Sequence, residues 1–446
     1  MWTFAEAETY LNDTAPQGKS VYGLGRIVHL LELMDHPERE FRCVTVVGTN
    51  GKGSTLAFLD SLLLAHGVKT ACHIKPHLES VTERIRINGI DSTEEEFAET
   101  LWEVKQEVDK KWSRDDRPTY FELLFAACLN SARKGRVDVA LLETGLGGRL
   151  DAVNSVGANP VILTSVGYDH TDLLGDTLTE IAKEKIVVAR PGSTLLCQEN
   201  PEEVMKVVRG YTTENSIRVV MPERNKFTLD ESSNSYTWES ESFGKIEGIL
   251  PGLKGTYQRT NAALSLRAFE EISEKIYPGL LKVKPNADSI VTGMKNARLP
   301  GRWEKLQVGN GDASVILDGA HNPDGLSLAL NEWRNESGGL GTIIFGMKQT
   351  KDVQKIIPSL LKSSGRIIFT PVPDLECYNP HDLETMAVRE AIEGGLSQIS
   401  LGAADSIEEG LKMALNGPNE SGPVLVTGSL YLVGAARRII RNGPIL

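Results

Sequence analysis

A glycine-rich segment that carries one lysine and two hydroxyl residues, Gly48-Thr-Asn-Gly-Lys-Gly-Ser-Thr55, has the composition of a phosphate-binding loop. It follows Val44–Val47, a β-branched run that is typical of a buried parallel strand. It precedes Leu56–His66, where the spacing of the leucines is typical of a helix, and Gly67 then predicts the helix end. A glycine loop between a strand and a helix is the context in which phosphate binding is credible.

The residue types in this loop suit a nucleotide and its metal. Glycines let backbone N–H groups turn toward phosphate oxygens, and the helix N-terminus adds about half a positive charge. We expect Lys52 to contact the outer phosphates and the hydroxyl of Ser54 or Thr55 to bind Mg²⁺. Only two residues separate the first two glycines, so the spacing differs from that of the common G-x-x-x-x-G-K-[ST] loop.

A second glycine-rich segment, residues 142–154, contains two carboxylates, Glu143 and Asp151. It follows the strand candidate Val137–Leu142, and an acidic residue at the carboxyl end of a strand is well placed to hold Mg²⁺ beside a nucleotide. The alternative is that Asp151 caps a helix and that Glu143 lies on the surface.

The octapeptide resembles the nucleotide loop of folylpolyglutamate synthases and dihydrofolate synthases, which belong to the Mur ligase superfamily. The resemblance extends over nearly the whole chain, since residues 142–154, 256–263, 300–304 and 317–323 also match family segments. It implies a ligase that phosphorylates a substrate carboxylate with ATP, after which the amine of glutamate attacks the acyl phosphate.

The resemblance also implies roles for individual residues. Those expected to bind the nucleotide are Thr49, Asn50, Gly51, Lys52, Gly53, Ser54, Thr55, Asn261, Arg302, Asp318 and His321. Those expected to bind Mg²⁺ are Ser54, Glu143, His170 and Lys185, the last as a carbamate formed with CO₂. Those expected to be catalytic are Lys52, His170, Lys185 and Arg302.

Two of these assignments rest on little besides the resemblance. Histidine is an unusual ligand for so hard an ion as Mg²⁺, so the role of His170 comes from the family match alone. Glu180–Lys185 has the i, i+4 charge spacing of an ordinary solvated helix face, and only the family match points to a modified Lys185. Arg302 has an independent argument, because an arginine at a domain junction can move onto phosphate when the domains close.

One segment departs from the family pattern. Ile74-Lys75-Pro76-His77-Leu78 stands where the family usually has Thr-Ser-Pro-His-Leu, whose serine is expected to help bind Mg²⁺. A protonated lysine cannot ligate a metal. Water then takes that coordination position, or Lys75 neutralises phosphate or substrate charge directly, or the first metal site is weakened.

The order of strand and helix patterns predicts an α/β fold. We expect an N-terminal P-loop-type ATPase domain with a mostly parallel sheet at residues 1–296, decorated by an antiparallel ribbon around Ser235–Phe243. We expect a smaller, Rossmann-like α/β glutamate-ligase domain at residues 297–446, with strand candidates at residues 315–317, 342–345, 366–370 and 423–427. ATP and Mg²⁺ are expected between the two domains.

Composition narrows the classes of partner and the compartment. The 446 residues carry 48 basic and 60 acidic side chains, a net charge of −12, which argues against nucleic acid and anionic membranes as partners. The five cysteines form no C-x-x-C pair, and no apolar stretch approaches the length of a membrane helix. We therefore expect a cytoplasmic protein, with a monomer as the default.

The predicted substrates are ATP, L-glutamate and a folate or dihydropteroate. The alternatives are a sibling ligase that joins an amino acid to another carboxylate, such as a cell-wall nucleotide precursor, or a switch that hydrolyses ATP without ligation. The sequence does not separate a dihydrofolate synthase from a folylpolyglutamate synthase or an enzyme with both activities. It also leaves the length and linkage of a polyglutamate product open.

Overall fold

The computed structural model describes residues 2–14, 23–113, 116–308, 313–338, 340–373, 376–396, 398–416 and 422–443. The chain divides into two compact units. The first comprises residues 1–252 and 258–298, and the second comprises residues 253–257 and 299–446.

The first unit is built on a mostly parallel sheet, which has eight strands within the described residues in the order β4-β3-β2-β5-β1-β6-β7-β8. Its strands are β1 Arg42–Val47, β2 Thr70–His73, β3 Ile85–Ile87, β4 Ile90–Asp91, β5 Val139–Glu143, β6 Val161–Leu163, β7 Thr194–Cys197 and β8 Arg218–Val220. Only β3 and β4 run antiparallel to their neighbours. The central strand β5 is buried at every position, as a sheet with both faces covered requires.

The register of this sheet brings distant loops to one edge. Val46 of β1 pairs with Glu143 of β5, so the chain leaves β1 for the glycine loop close to where Glu143 ends its own strand. On the other side of β5, His73 of β2 pairs with Leu142, so Lys75 follows immediately beside the same edge. The carboxyl ends of parallel strands therefore gather the glycine loop, Glu143 and Lys75.

The first unit also contains helices. They are α1 Phe4–Asn12, α2 Gly25–Leu33, α3 Lys52–Ala65, α4 Glu94–Asp109, α5 Tyr120–Lys134, α6 Thr171–Leu174, α7 Leu178–Ile186, α8 Glu202–Glu214, α9 Gln258–Glu270 and α10 Ala287–Asn296. Several begin at a threonine whose hydroxyl accepts from the N3 amide while the N3 glutamate accepts from the cap amide, as at Thr119 and Glu122 of α5. Such capping boxes fix where each helix starts and hence where the preceding loop ends.

A small antiparallel sheet, β9 Phe227–Asp230, β10 Ser235–Ser240 and β11 Gly244–Ile249, belongs to the first unit. The polar alternating pattern around Ser235–Phe243 had predicted this ribbon.

The second unit has its own sheet, with the order β12-β13-β17-β14-β15-β16 among the described residues. Its strands are β12 Glu304–Val308, β13 Ala313–Leu317, β14 Thr342–Phe345, β15 Arg366–Phe369, β16 Ser400–Ala403 and β17 Val424–Thr427. Its helices are α11 Pro323–Ser337, α12 Ile357–Leu361, α13 Pro380–Glu393, α14 Ile407–Leu415 and α15 Leu430–Asn442. All pairs are parallel except β12 with β13.

The predicted fold class is confirmed: the chain has a large, mostly parallel sheet and a second sheet domain. None of the helices in the described part of the chain combines the length and the apolar character needed to cross a bilayer.

Candidate active site

The glycine loop forms a tight turn between β1 and α3. Gly51 has a left-handed backbone with φ of 87°, and it is the N-cap of α3, so the cap residue has no side chain to cover the first amides of the helix. A Cβ on Gly51 would collide with Oδ1 of Asn261, and one on Gly48 would collide with Oγ1 of Thr164. The loop is therefore a cradle that a side chain would fill, at a helix N-terminus that no side chain caps, and both features fit a phosphate group.

Asn261 lies against this loop, although it is more than 200 residues away in sequence. It stands in the first turns of α9 and is buried, and its Nδ2 donates to Oε1 of Gln258 at 2.8 Å. The expected nucleotide contact of Asn261 stays a prediction, but the structure does place the residue beside Gly51.

Two lysines converge on one carbonyl of the loop. Nζ of Lys52 donates to the carbonyl oxygens of Gly48 at 3.2 Å and Thr49 at 3.0 Å. Nζ of Lys185, which projects from the last turn of α7, donates to the same Gly48 oxygen at 3.1 Å. The two amines therefore meet at the first residue of the loop, where Lys52 supplies positive charge in a chain whose net charge is negative.

Lys185 does not lie on a solvated helix face, as its charge spacing alone would have favoured. The residue is only 4% exposed, whereas Glu180 and Lys183 of the same helix are exposed. Burial, followed by the charge of Lys52, lowers the pKa of Lys185 to about 7. A substantial fraction of its amine is therefore neutral at neutral pH, and the neutral amine is the form that reacts with CO₂.

Glu143 ends β5 and is buried, so it is not the surface residue of the alternative interpretation. Its Oε2 accepts from the backbone N–H of Lys75 at 3.2 Å. Asp151, in contrast, organises the turn that follows. Its Oδ2 accepts from the amides of Gly145 at 2.8 Å and Leu146 at 3.1 Å.

Oδ1 of Asp151 has two further partners. It accepts from the amide of Val153 at 3.0 Å, which caps the short 3-10 helix Ala152–Val156, and from Nζ of Lys75 at 3.3 Å. The capping interpretation of Asp151 is thus correct, but the ion pair with Lys75 was not predicted. Seventy-six residues separate the two partners, and no local pattern in the sequence signals their contact.

His170 occupies the N-cap of α6 with a left-handed backbone, φ of 50°, and its side chain is 47% exposed. Its Nε2 lies 3.9 Å from Oδ2 of Asp169. Among the described residues, no three or more histidine, cysteine, aspartate and glutamate side chains are grouped to hold a metal ion.

The predicted Mg²⁺ site does not need such a group, because it combines Glu143 and His170 with a hydroxyl and a modified lysine. The oxygen donors of that set, a buried carboxylate and the hydroxyl of the buried Ser54, suit a hard cation. The site stays a prediction.

In the second unit, Asp318 is fixed by hydrogen bonds within the protein. Its Oδ2 accepts from the hydroxyl of Tyr257 at 2.6 Å and from the amide of Trp303 at 3.1 Å, while Oδ1 accepts from the amide of Ala320 at 3.0 Å. Burial raises the pKa of this carboxyl, and the nearby charge of Arg302 partly offsets that shift. Asp318 thereby ties together the segments that carry Arg302 and residues 319–321.

Arg302 and His321 both lie beside Gly319, the residue that follows Asp318. Nδ1 of His321 hydrogen-bonds the carbonyl of Gly319 at 2.9 Å, and Nη1 of Arg302 lies beside Gly319. The nucleotide contacts expected of these residues stay predictions. The sequence did not indicate that the Tyr257 hydroxyl would hold Asp318. Tyr257 nevertheless lies in the segment 256–263 that resembles the family, directly before α9.

The comparisons with known proteins agree with the family suggested by the motifs. Residues 302–439 match the model of the dihydrofolate synthetase C-terminal domain. A probable dihydrofolate synthetase of Schizosaccharomyces pombe is 31% identical over 431 residues, which cover 94% of this chain and 98% of that protein. The dihydrofolate synthase/folylpolyglutamate synthase of Bacillus subtilis is 29% identical over 441 residues, with coverage of 94% and 95%.

Solved structures show the same similarity over the whole chain. Mycobacterium tuberculosis folylpolyglutamate synthase complexed with ADP superposes with a TM-score of 0.85 at 25% identity and covers 99% of both chains. Escherichia coli FolC in complex with DHPP and ADP superposes with a TM-score of 0.82 at 25% identity and covers 98% of both chains. With these relatives and this phosphate loop, the chain belongs to the folylpolyglutamate synthase and dihydrofolate synthase family and is an ATP-dependent ligase.

Proposed function

We propose that this protein joins L-glutamate to the carboxylate of a folate or dihydropteroate and converts ATP to ADP and phosphate. The observation that carries the proposal is the glycine cradle at the N-terminus of α3, where the amines of Lys52 and Lys185 meet at the Gly48 carbonyl. The names of the relatives support the folate substrate, and an ADP complex of a relative supports the nucleotide.

The proposed reaction has two steps. A carboxylate oxygen of the acceptor attacks the γ-phosphorus of ATP, the bond from that phosphorus to the ADP oxygen breaks, and an acyl phosphate forms. The neutral amine of glutamate then attacks the acyl carbon, inorganic phosphate leaves with the electron pair of the C–O bond, and the amine loses a proton. An amide forms because phosphate is a far better leaving group than oxide.

The protein's contribution to the first step is mainly positioning and charge compensation. We propose that the amides at the start of α3 hold the β- and γ-phosphates and that Lys52 moves from the Gly48 and Thr49 carbonyls onto the phosphate oxygens. An ammonium and a helix N-terminus stabilise the negative charge that the phosphoryl group spreads over its oxygens.

We propose Mg²⁺ as the metal, held by Ser54, Glu143 and His170 together with the carbamate of Lys185. Bound there, Mg²⁺ would neutralise phosphate charge. The carbamate forms when the neutral Lys185 amine adds to CO₂ and loses one proton, which replaces a cation with an anionic oxygen ligand. The low pKa of Lys185 supports this modification because an ordinary lysine is almost wholly protonated at neutral pH.

The function is tested by measuring ADP release with dihydropteroate or tetrahydrofolate as the acceptor, each with and without glutamate. We expect ADP release to require both glutamate and at least one acceptor, and Lys52→Met to lower the rate at least about a hundredfold. Lys69→Met, which removes an exposed lysine, is the matched control and should leave the rate unchanged.

The other outcomes separate the competing functions. ADP release without any acceptor would indicate an ATPase switch. Dependence on an amino acid other than glutamate would indicate a sibling ligase. The acceptor that supports turnover decides between dihydrofolate synthase activity, folylpolyglutamate synthase activity and both.

A further inference from the structure

Lys75 connects two carboxylates that stand at the sheet edge beside the glycine loop. Its backbone N–H donates to Oε2 of Glu143 at 3.2 Å, and its Nζ donates to Oδ1 of Asp151 at 3.3 Å. The side chains of Lys75 and Asp151 are each only 7% exposed. This is a nearly buried ion pair in the loop expected to face Mg²⁺ and nucleotide.

The surroundings fix the ammonium in this position. Asp151 accepts from three backbone amides in addition to Lys75. These amides hold its carboxylate in place independently of the lysine. Gly145 leaves room for the lysine stem, because a Cβ there would lie 3.0 Å from Cδ of Lys75 and 3.3 Å from Oδ2 of Asp151. The side chain of Lys75 therefore packs closely against the turn at Gly145.

A buried carboxylate needs a compensating charge, which either a side chain or a bound cation can supply. At this edge of the sheet, the ammonium of Lys75 supplies the compensating charge for Asp151. We propose that the Lys75 ammonium is a built-in cation that neutralises Asp151 and so takes the place of a further divalent ion, beyond the Mg²⁺ proposed at Glu143, that these two carboxylates would otherwise attract. This inference rests on the proposed function, which makes residues 143–151 part of a nucleotide and Mg²⁺ site. Its test measures metal binding and does not require turnover.

The proposal has a direct consequence for metal binding. Replacing Lys75 with methionine keeps much of the apolar stem but leaves the negative charge of Asp151 without its ammonium. Manganese is an oxygen-binding divalent probe that can be followed by electron paramagnetic resonance. We expect Lys75→Met to bind Mn²⁺ about tenfold more tightly than the unchanged protein, or to bind one additional ion.

A double-mutant cycle separates charge from structural damage. In Lys75→Met/Asp151→Asn both charges are gone, and Mn²⁺ affinity should return to that of the unchanged protein. Lys75→Arg retains the positive charge and should also match it, while Lys69→Met serves as the exposed control. Asp151→Asn alone leaves the ammonium without its counter-ion, so it should weaken Mn²⁺ binding.

Equal Mn²⁺ affinity and stoichiometry in the unchanged protein and Lys75→Met would overturn the proposal. If Lys75→Met does not fold, unchanged Mn²⁺ binding in Asp151→Asn would overturn it instead. Glutamate-dependent ADP release by the unchanged protein is measured separately, so a failure of the proposed function is distinguishable from a failure of the built-in cation.

Discussion

The burial of Lys185 supports the modification that we propose for this residue. The charged residues Glu180 and Lys183 of α7 are exposed, whereas the amine of Lys185 is buried at the Gly48 carbonyl close to the charge of Lys52. Both burial and that neighbouring charge disfavour the ammonium, so the pKa falls to about 7 from an ordinary value of 10.5.

We expect the carbamate of Lys185 to depend on pH in a defined direction. Because the pKa is lowered, the neutral amine is the minor form at pH 6 and the major form at pH 8, so carbamate should increase across this interval. Protein equilibrated with ¹³C-labelled CO₂ should show a carbamate carbon resonance that grows from pH 6 to pH 8.

The control for this measurement lies two residues away on the same helix. Lys183→Met removes an exposed amine and should keep the resonance, while Lys185→Met should abolish it. A resonance that survives in Lys185→Met, or none in the unchanged protein at pH 8, would contradict the assignment.

At the scale of elements, the turn from β1 into α3 is what fits the loop to the phosphate binding that we propose for it. Gly51 is essential to that turn for two separate reasons, its left-handed backbone and its contact with Asn261. A side chain at this position would meet both problems, whereas at some other left-handed glycines, such as Gly192, it would meet the first alone.

We expect Gly51→Ala to destabilise the protein and to weaken ADP binding. The left-handed backbone alone costs a non-glycine residue about 1 kcal/mol, and the collision with Asn261 adds to that. Gly192→Ala is the matched control, because Gly192 has φ of 79° and nothing within 4 Å of its would-be Cβ. Urea unfolding and ADP titration of both variants should show a larger loss of stability for Gly51→Ala, and a loss of ADP affinity only there.

Equal destabilisation by the two substitutions, with ADP affinity retained in Gly51→Ala, would show that the contact with Asn261 is unimportant.

The sequence predicted the elements far better than the contacts between them. Parallel strands are continuous apolar runs that end in glycine or polar residues, so β6 and β14 could be located residue by residue as Val161–Leu163 and Thr342–Phe345. The small strands β3 and β4 lie at the sheet edge and carry no such run. The position of β3 depends on pairing with β2, and that of β4 depends on pairing with β3, and the local sequence encodes neither contact.

The same limit applies to the site. Local motifs indicated the glycine loop and Glu143 as candidates because the residue types that suggest their chemistry lie close together in the sequence. The ion pair of Lys75 with Asp151 and the burial of Lys185 depend on the sheet register and on packing between segments far apart in sequence. The local sequence therefore indicates candidate residues, whereas the contacts of each residue follow from the tertiary fold.

At the scale of the whole molecule, the chain passes between its two units more than once. The segment Leu253–Tyr257 belongs to the second unit, although residues on both sides of it belong to the first. Tyr257 anchors this segment through its hydrogen bond to the buried Asp318.

We expect Tyr257→Phe to lower the local stability of the second unit by about 2 kcal/mol, because the lost hydrogen bond joins a buried carboxyl. Tyr378→Phe is the matched control in the same unit, since its hydroxyl donates only to the backbone carbonyl of Lys351. Hydrogen exchange read by mass spectrometry on peptides containing β13 and β17 should accelerate more in Tyr257→Phe than in Tyr378→Phe. Equal acceleration would show that Asp318 does not depend on this hydroxyl.

The central claim for the whole molecule is that ATP activates a carboxylic acid through an acyl phosphate. Placing oxygen-18 in the acceptor carboxylate and analysing the inorganic phosphate formed during turnover tests it most directly. The account predicts one labelled oxygen in each phosphate released, because the carboxylate oxygen that attacks the γ-phosphorus leaves with it. Phosphate without the label, formed while the amide product accumulates, would contradict it.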